Sequence, residues 1–308
     1  MFPRRRRLRL IRSAIWQFVH SARALWLAGL AVECPCCGWT FRRFLPWDPK
    51  DPTDHNSVCP YCLSHSRHRM LWLYLTANRD KAPWRSGTVL CFAPEPSLLR
   101  WFRANHGGPL HTVDLHRDDT DVRADITHLP FRANSVALVV CNHVLEHIAD
   151  DRAAATEIRR VLEPDGQAVL TVPIDWSREV TFEDPAVHEP RERLRVYGQV
   201  DHVRTYGRDF ADRLRGAGMV VTVLDFVAGI DRQTALRHGL TTNEPIFLCR
   251  AVSLQTDCTK TGQFPRDVPA LEGSCFDYTP STRPTHKPVR SNVAHPTQTH
   301  VAARTRHT

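Results

Sequence analysis

From residue 87 onward the chain alternates between two hydrophobic rhythms. GTVLCFA is an apolar, β-branched run bounded by Gly87 and Pro94, which predicts a buried strand of a parallel sheet. LLRWFRANH follows as a helix, LHTVDL is a second strand ending at Asp114, and DVRADIT is a short third element carrying Asp125. SVALVVCNHV predicts a fourth strand, LEHIADDRAAATEIRRVL an amphipathic helix closed by EPDG, and QAVLTVPI a fifth strand. This alternation implies right-handed βαβ units and an α/β fold with a doubly wound sheet. Ligands of such sheets lie across the carboxyl ends of the strands, where Pro94, Glu95, Asp114, Asp125, Asn142 and His143 fall. A polar insertion over about residues 175–207, carrying Glu183, His188, Tyr197, His202 and Tyr206, is expected to cover those ends as a lid. A helix, GAGM and a further strand then complete the sheet.

The two ends of the chain follow other patterns. Leu8, Ile11, Ile15, Phe18, Ala22, Leu25 and Gly29 recur at helical spacing among arginines. The longest uncharged apolar run there, Ala24 to Val32, is nine residues, against roughly 20 for a spanning helix. Arg9, Arg12 and Arg23 also interrupt any signal-peptide core. Residues 4–30 therefore suit an interfacial helix resting on anionic lipid. A helix packed on the domain, or upstream sequence included by the choice of start site, are the alternatives. Residues 252–308 are rich in Thr, Pro, Ser and His without periodic apolar positions, which predicts a disordered tail holding Cys258 and Cys275 as free thiols. The division expected is a basic segment over 1–32, a cysteine-bearing segment with a linking helix over 33–80, the α/β domain over 81–251, and the tail.

Composition changes this picture in one respect. The 308 residues carry a net charge of +8, which points at first to nucleic acid or an acidic membrane. Residues 1–32 hold +7 of it and the tail +3, so the stretch between sums to −2. A nucleic-acid partner is therefore not expected, although Trp39, Phe41, Arg42, Arg43 and Phe44 keep a zinc-ribbon RNA binder as a rival reading.

Four of the ten cysteines form the pairs CPCCG and CPYC. Cys34, Cys37, Cys59 and Cys62 give C-x₂-C-x₂₁-C-x₂-C, close to zinc-ribbon spacing. A two-residue gap lets two thiolates from one tight turn face one ion, and two such turns complete a tetrahedron. Four thiolates leave no open position, so the zinc is expected to be structural. Coincidental cysteines and a redox dithiol are the rival readings. Gly38 is free to take positive φ after the first pair, while Leu63 holds the matching place after the second. Cys36 reads as a bystander, and His65 and His68 as alternative ligands or interdomain contacts. Paired thiols without a disulfide framework favour a reducing, cytoplasmic setting, peripheral to the inner face of the membrane if the basic helix engages it.

The run ADITHLPFRANSVALVVCNHVLEHIADDRAAATEIRRVLEPDGQAVLTVP resembles class I S-adenosylmethionine-dependent methyltransferases, and among them the type 11 group. The resemblance covers roughly residues 87–225, and its helix–EPDG–strand block is the most specific part. With CPCCGWTFRRFLPW, CPYCLSHSRHR and LCFAPEPSLL upstream, the chain is similar to a bacterial subset with an N-terminal zinc-ribbon-like segment. The resemblance implies a Rossmann-like methyltransferase sheet that moves a methyl group from S-adenosyl-L-methionine to an acceptor, O or N before C. By position, Asp114 would accept from the ribose hydroxyls, and Asp125 with Ile126 would border the adenine. Asn142 would line the transfer face with His143. His202, beside Asp201, is the candidate general base, with a histidine that only fixes the lid as the alternative. The usual glycine-rich first loop is replaced by CFAPEP, so Ala93, Pro94 and Glu95 would meet the cofactor, Glu95 facing the methionine amino group. This departure supports the rival reading, a methyltransferase-like protein that binds cofactor or partner without turnover.

Overall fold

The fold was obtained as a computed structural model that describes residues 19–47, 57–80, 84–241 and 244–251. The basic run before residue 19 and the C-terminal run from residue 252, with the helix, lipid and disorder expected there, lie outside the described residues.

Among the described residues the main sheet has seven strands, β3 (Val89–Phe92), β4 (Leu110–Asp114), β5 (Val122–Arg123), β6 (Val136–Asn142), β7 (Leu162–Thr171), β8 (Met219–Leu224) and β9 (Ile246–Ala251). Their order is β5-β4-β3-β6-β7-β9-β8, parallel from β5 to β7, with β9 antiparallel to both neighbours. The mostly parallel α/β sheet expected from the alternating pattern is therefore present. β9, with the run IFLCRA, is not among the expected strands: it enters antiparallel between β7 and β8 and so closes no βαβ unit.

Every residue of β3 and β6 is buried. Leu90 and Phe92 join one core with Ala154, Ile158 and Val161 of α4 (Asp151–Val161) and Phe210 and Leu214 of α6 (Phe210–Gly216). Val89 and Cys91 join the other with Met70, Leu71 and Leu75 of α2 (Ser66–Asn78) and Leu98, Trp101 and Phe102 of α3 (Pro96–Asn105). Alternate side chains of one strand thus feed two cores, as a sheet covered on both faces requires. Among the described residues the remaining α-helices include α5 (Pro190–Tyr197) in the insertion and α7 (Arg232–Arg237) before β9.

Two local expectations are corrected. The helix before β7 stops at Val161, and EPDG lies inside the irregular start of β7, where the register slips between Val136 and Leu138. The N-terminal helical spacing, read through Gly29, ends at residue 26, and we label the described part, 19–26, α1. Ala28–Glu33 is instead strand β1, paired with β2 (Thr40–Phe41) around the first cysteine pair. Pairing across that hairpin wins over helical periodicity, and Gly29 admits the backbone of Arg42 where a side chain would collide.

The cysteine segment is packed onto the sheet domain. Ala24 and Leu27 share a small core with Phe41, Phe44 and the cysteines, and Arg23 donates twice to the Pro60 carbonyl. The buried Arg69 of α2 donates to the carbonyls of Ser57, Ser64, His238 and Gly239 and lies 4.0 Å over the Phe44 ring. Arg237 of α7 pairs with Glu33 of β1 at 2.8 Å.

Candidate functional site

β3 and β6 are neighbours whose chain continuations run to opposite sides of the sheet, which makes the gap between their carboxyl ends the switch point of the fold. The loop after β3 begins with Ala93, whose φ of +41° takes a conformation that glycine usually supplies. Its N–H donates to Val113 of β4 at 3.0 Å. Pro94 is buried, and Glu95 is the residue from which α3 starts, with Pro96 in its first turn.

Glu95 turns back across the switch point. Its Oε1 accepts from Asn142 Nδ2 and lies 3.2 Å from His68 Nε2. His68 Nδ1 accepts from the His65 N–H, so the ring proton sits on Nε2, toward Glu95. Asn142 Oδ1 in turn accepts from Thr171 Oγ1 of β7. A chain of polar contacts thus runs from α2 through the first loop to β6 and β7. Asn142 is 3% exposed and its amide is engaged at both ends, so it acts on the opening by holding Glu95. Glu95 Oε2 is buried with no hydrogen-bond partner. His68 serves as an interdomain contact, the second of its two expected roles.

Asp114 ends β4, and its Oδ1 accepts from the N–H groups of His116 and Arg117 at 2.8 and 3.0 Å. Asp125 and Thr127 repeat the device, Oδ1 accepting from the Thr127 N–H and hydroxyl, which holds the carboxyl below its usual range. In both, a turn fixes one oxygen and leaves the other without a protein donor among the described residues. Ile126 is buried beside Asp125. Arg117 was not foreseen: it donates to the Pro94 carbonyl at 3.0 Å and ties the loop after β4 to the first loop.

Beyond β6, His143 has a φ of +52° and lies between two carboxylates, Nδ1 3.2 Å from Glu146 Oε1 and Nε2 3.5 Å from Glu244 Oε1. Burial alone would lower its pKa, but these carboxylates push it up to about 9. As an imidazolium at neutral pH it donates protons rather than accepting them. His202 is 6% exposed, and burial lowers its pKa, which keeps the ring neutral. Asp201 does not orient it: that carboxylate reaches His147 Nδ1 at 3.3 Å, and the His147 and His202 rings meet edge to face at 4.7 Å.

The insertion does less at the opening than its polarity suggests. Tyr206 is fully buried and its hydroxyl donates to Asp151 Oδ2 and the Leu145 carbonyl. Tyr197 donates to the Asp184 carbonyl. Glu183 pairs with Arg204 and Arg213, while His188 is exposed. Tyr206, Tyr197 and Glu183 hold the segment together.

The two cysteine turns are near copies. Cys34 N–H donates to Trp39 and Gly38 N–H to Cys34; Cys59 N–H donates to Ser64 and Leu63 N–H to Cys59. Gly38 has a φ of +74° and Leu63 matches it at +59°. The four Sγ atoms of Cys34, Cys37, Cys59 and Cys62 lie within 4.8 Å of one another. Hydrogen bonds from the neighbouring thiols, Cys36 first, pull the Cys34 thiol down, and hydrogen bonding to Cys34 pushes Cys59 up. Four sulfur donors gathered about one point fit a metal that binds all four. Cys36 is buried, and its pKa is raised by that burial.

Residues 79–170 match the family model described as a methyltransferase domain. A 109-residue stretch is 31% identical to an uncharacterized 37.1 kDa protein of a Streptomyces fradiae transposon, covering 35% of this chain and 31% of that protein. A 49-residue stretch is 45% identical to an uncharacterized protein of Methanocaldococcus jannaschii, covering 16% and 21%. The chain thus spans less than a third of the length of either relative. Among solved structures, an S-adenosylmethionine-dependent methyltransferase from Mesorhizobium loti aligns at 18% identity and a TM-score of 0.41, covering 57% of this chain and 96% of that one.

Proposed function

We propose that this chain, whose residues 79–170 carry a domain of the methyltransferase family, transfers a methyl group from S-adenosylmethionine to an oxygen or nitrogen acceptor. The observation that carries this reading is the set of carboxylates at the switch point. Glu95, Asp114 and Asp125 stand at successive strand ends, each with one oxygen held by the protein and another left to accept. Glu95 Oε2 suits an ammonium group, Asp114 a pair of ribose hydroxyls and Asp125 an exocyclic amine. The left-handed Ala93 keeps a glycine-like turn in the first loop, so loss of the glycines does not by itself remove a cofactor site. When bound, the cofactor supplies a methyl group on an electron-poor sulfonium.

The chain's own contribution is position. Thr171, Asn142 and His68 fix Glu95, and Arg117 holds the loop that carries Asp114 against Pro94. His202 is neutral and buried, so its ring retains a lone pair and would serve as the base in this reading. The cysteine cluster would hold a structural zinc that braces α2, and with it His68. Among the described residues no helix is long and apolar enough to cross a membrane.

Calorimetric titration of the zinc-loaded chain with S-adenosylmethionine tests the reading. Saturable binding at one site is expected. Absence of binding would remove the proposal.

A further inference from the structure

Three residues just past the end of β6 and in the insertion form a second ligand cluster, unlike the cysteines in chemistry. One ligand atom each from Glu146, His147 and His202 lies within 4.8 Å of the others. Glu146 is 1% exposed, and neither of its carboxylate oxygens receives a hydrogen bond. Its neighbour His143 approaches only Oε1, at 3.2 Å. A carboxylate withdrawn from water in this way needs further positive charge or donors.

The two imidazoles are set up to supply lone pairs. His147 Nδ1 faces the Asp201 carboxylate at 3.3 Å, which puts its proton on Nδ1 and leaves Nε2 as the ligand atom. A carboxylate behind a histidine is the usual outer support of a metal-binding imidazole. His202 is brought to the cluster by the backbone, since the Val203 N–H donates to the Glu146 carbonyl at 3.0 Å. A cation with bonds of about 2.1 Å separates adjacent ligands by roughly 3 Å, so small side-chain shifts close the cluster on one ion.

We propose that Glu146, His147 and His202 bind one divalent transition-metal cation, with Asp201 orienting His147, and that the ion's open positions take an oxygen of the methyl acceptor. Two imidazoles and one carboxylate favour manganese, iron, cobalt or zinc over magnesium or calcium. Three protein ligands leave positions for water or substrate, as four thiolates do not. The ion's role toward the acceptor rests on the methyltransferase reading; its binding does not. Oxygen then becomes the favoured acceptor atom, and His202 is a ligand rather than a base.

Titration of the full chain, loaded with a single zinc equivalent to fill the cysteines and freed of excess zinc, with Mn²⁺, followed by loss of the free-ion paramagnetic resonance signal, tests the site. One bound Mn²⁺ per chain is expected. Glu146→Gln and His202→Asn should each weaken it about tenfold or more, and Asp201→Asn should also weaken it. Thermal melting of each variant, and calorimetry with S-adenosylmethionine, report whether the fold and the cofactor site survive. Mn²⁺ binding absent from the wild-type chain, or unchanged in folded Glu146→Gln and His202→Asn, overturns the site. If Glu146→Gln does not fold, His202→Asn and Asp201→Asn decide. Mn²⁺ binding without cofactor binding would retain the ion and remove the methyltransferase reading; the reverse would remove the ion alone.

Discussion

Leu63 occupies a backbone conformation that its twin position, Gly38, reaches without strain. The hydrogen bonds of the two cysteine turns correspond pair by pair, so closure of the cluster, not residue preference, holds Leu63 in the left-handed region. Gly38 has open space around it, so a methyl group there would meet no atom within 4 Å. Gly38→Ala should therefore cost about 1–2 kcal/mol through backbone strain alone, read as a lower denaturation midpoint. Asp114 is the residue-scale test of the proposed cofactor site. Asp114→Ala removes the acceptor that the turn leaves open, and affinity for S-adenosylmethionine should fall about tenfold or more, equivalent to at least one hydrogen bond to a charged group. Unchanged affinity would place the ribose elsewhere.

At the scale of elements, α2 decides how the cysteine segment matters to the site. Arg69 fastens the helix to the second cysteine turn and to the segment after α7, and His68 on the adjacent position meets Glu95. Chelation of the proposed zinc should lower the melting temperature and weaken cofactor binding together. If melting falls and affinity stays, the link through His68 has no functional weight. The contact of α4 with α6 gives a pH-dependent test. Burial would raise the pKa of Asp151, but hydrogen bonds from Arg213 and Tyr206 and the charges of Arg204 and Arg213 bring it below its usual value. A carboxyl depressed in the folded state stabilises the protein above its unfolded pKa of about 4 and loses that contribution as pH falls through the folded value. Stability should therefore drop on acidification below about pH 4, and Asp151→Asn should be less stable at neutral pH and flatter in this range. Equal slopes in the two proteins would remove Asp151 from the acid response.

For the whole molecule, the net charge of +8 describes the ends of the chain rather than the sheet domain. α1 buries Ala24 against the cysteine core while Leu25, Trp26 and Leu30 beyond it are exposed, beside the arginine-rich start of the chain. We expect the full chain to sediment with vesicles rich in phosphatidylserine and to be released by salt. Equal behaviour with neutral vesicles would remove the lipid contact.

Much of this was legible along the chain because it is local. A strand buried on both faces needs a continuous apolar run, as in VALVVCN, and two thiols of one tight turn face the same point when two residues separate them, as in CPCCG and CPYC. Both features can be read from a few adjacent residues. Tertiary structure alone decided that Ala28–Glu33 leaves a helical rhythm to pair with β2, and that Tyr206 is core rather than lid. It also decided which groups face which at the strand ends. Asp201 stands next to His202 in sequence but serves His147, and Glu95 reaches His68 and Asn142 across long stretches of chain. The reason is physical. Secondary structure and metal spacing depend on neighbours within one turn, whereas a buried polar side chain takes its partner from whatever the packed sheet brings within about 3 Å.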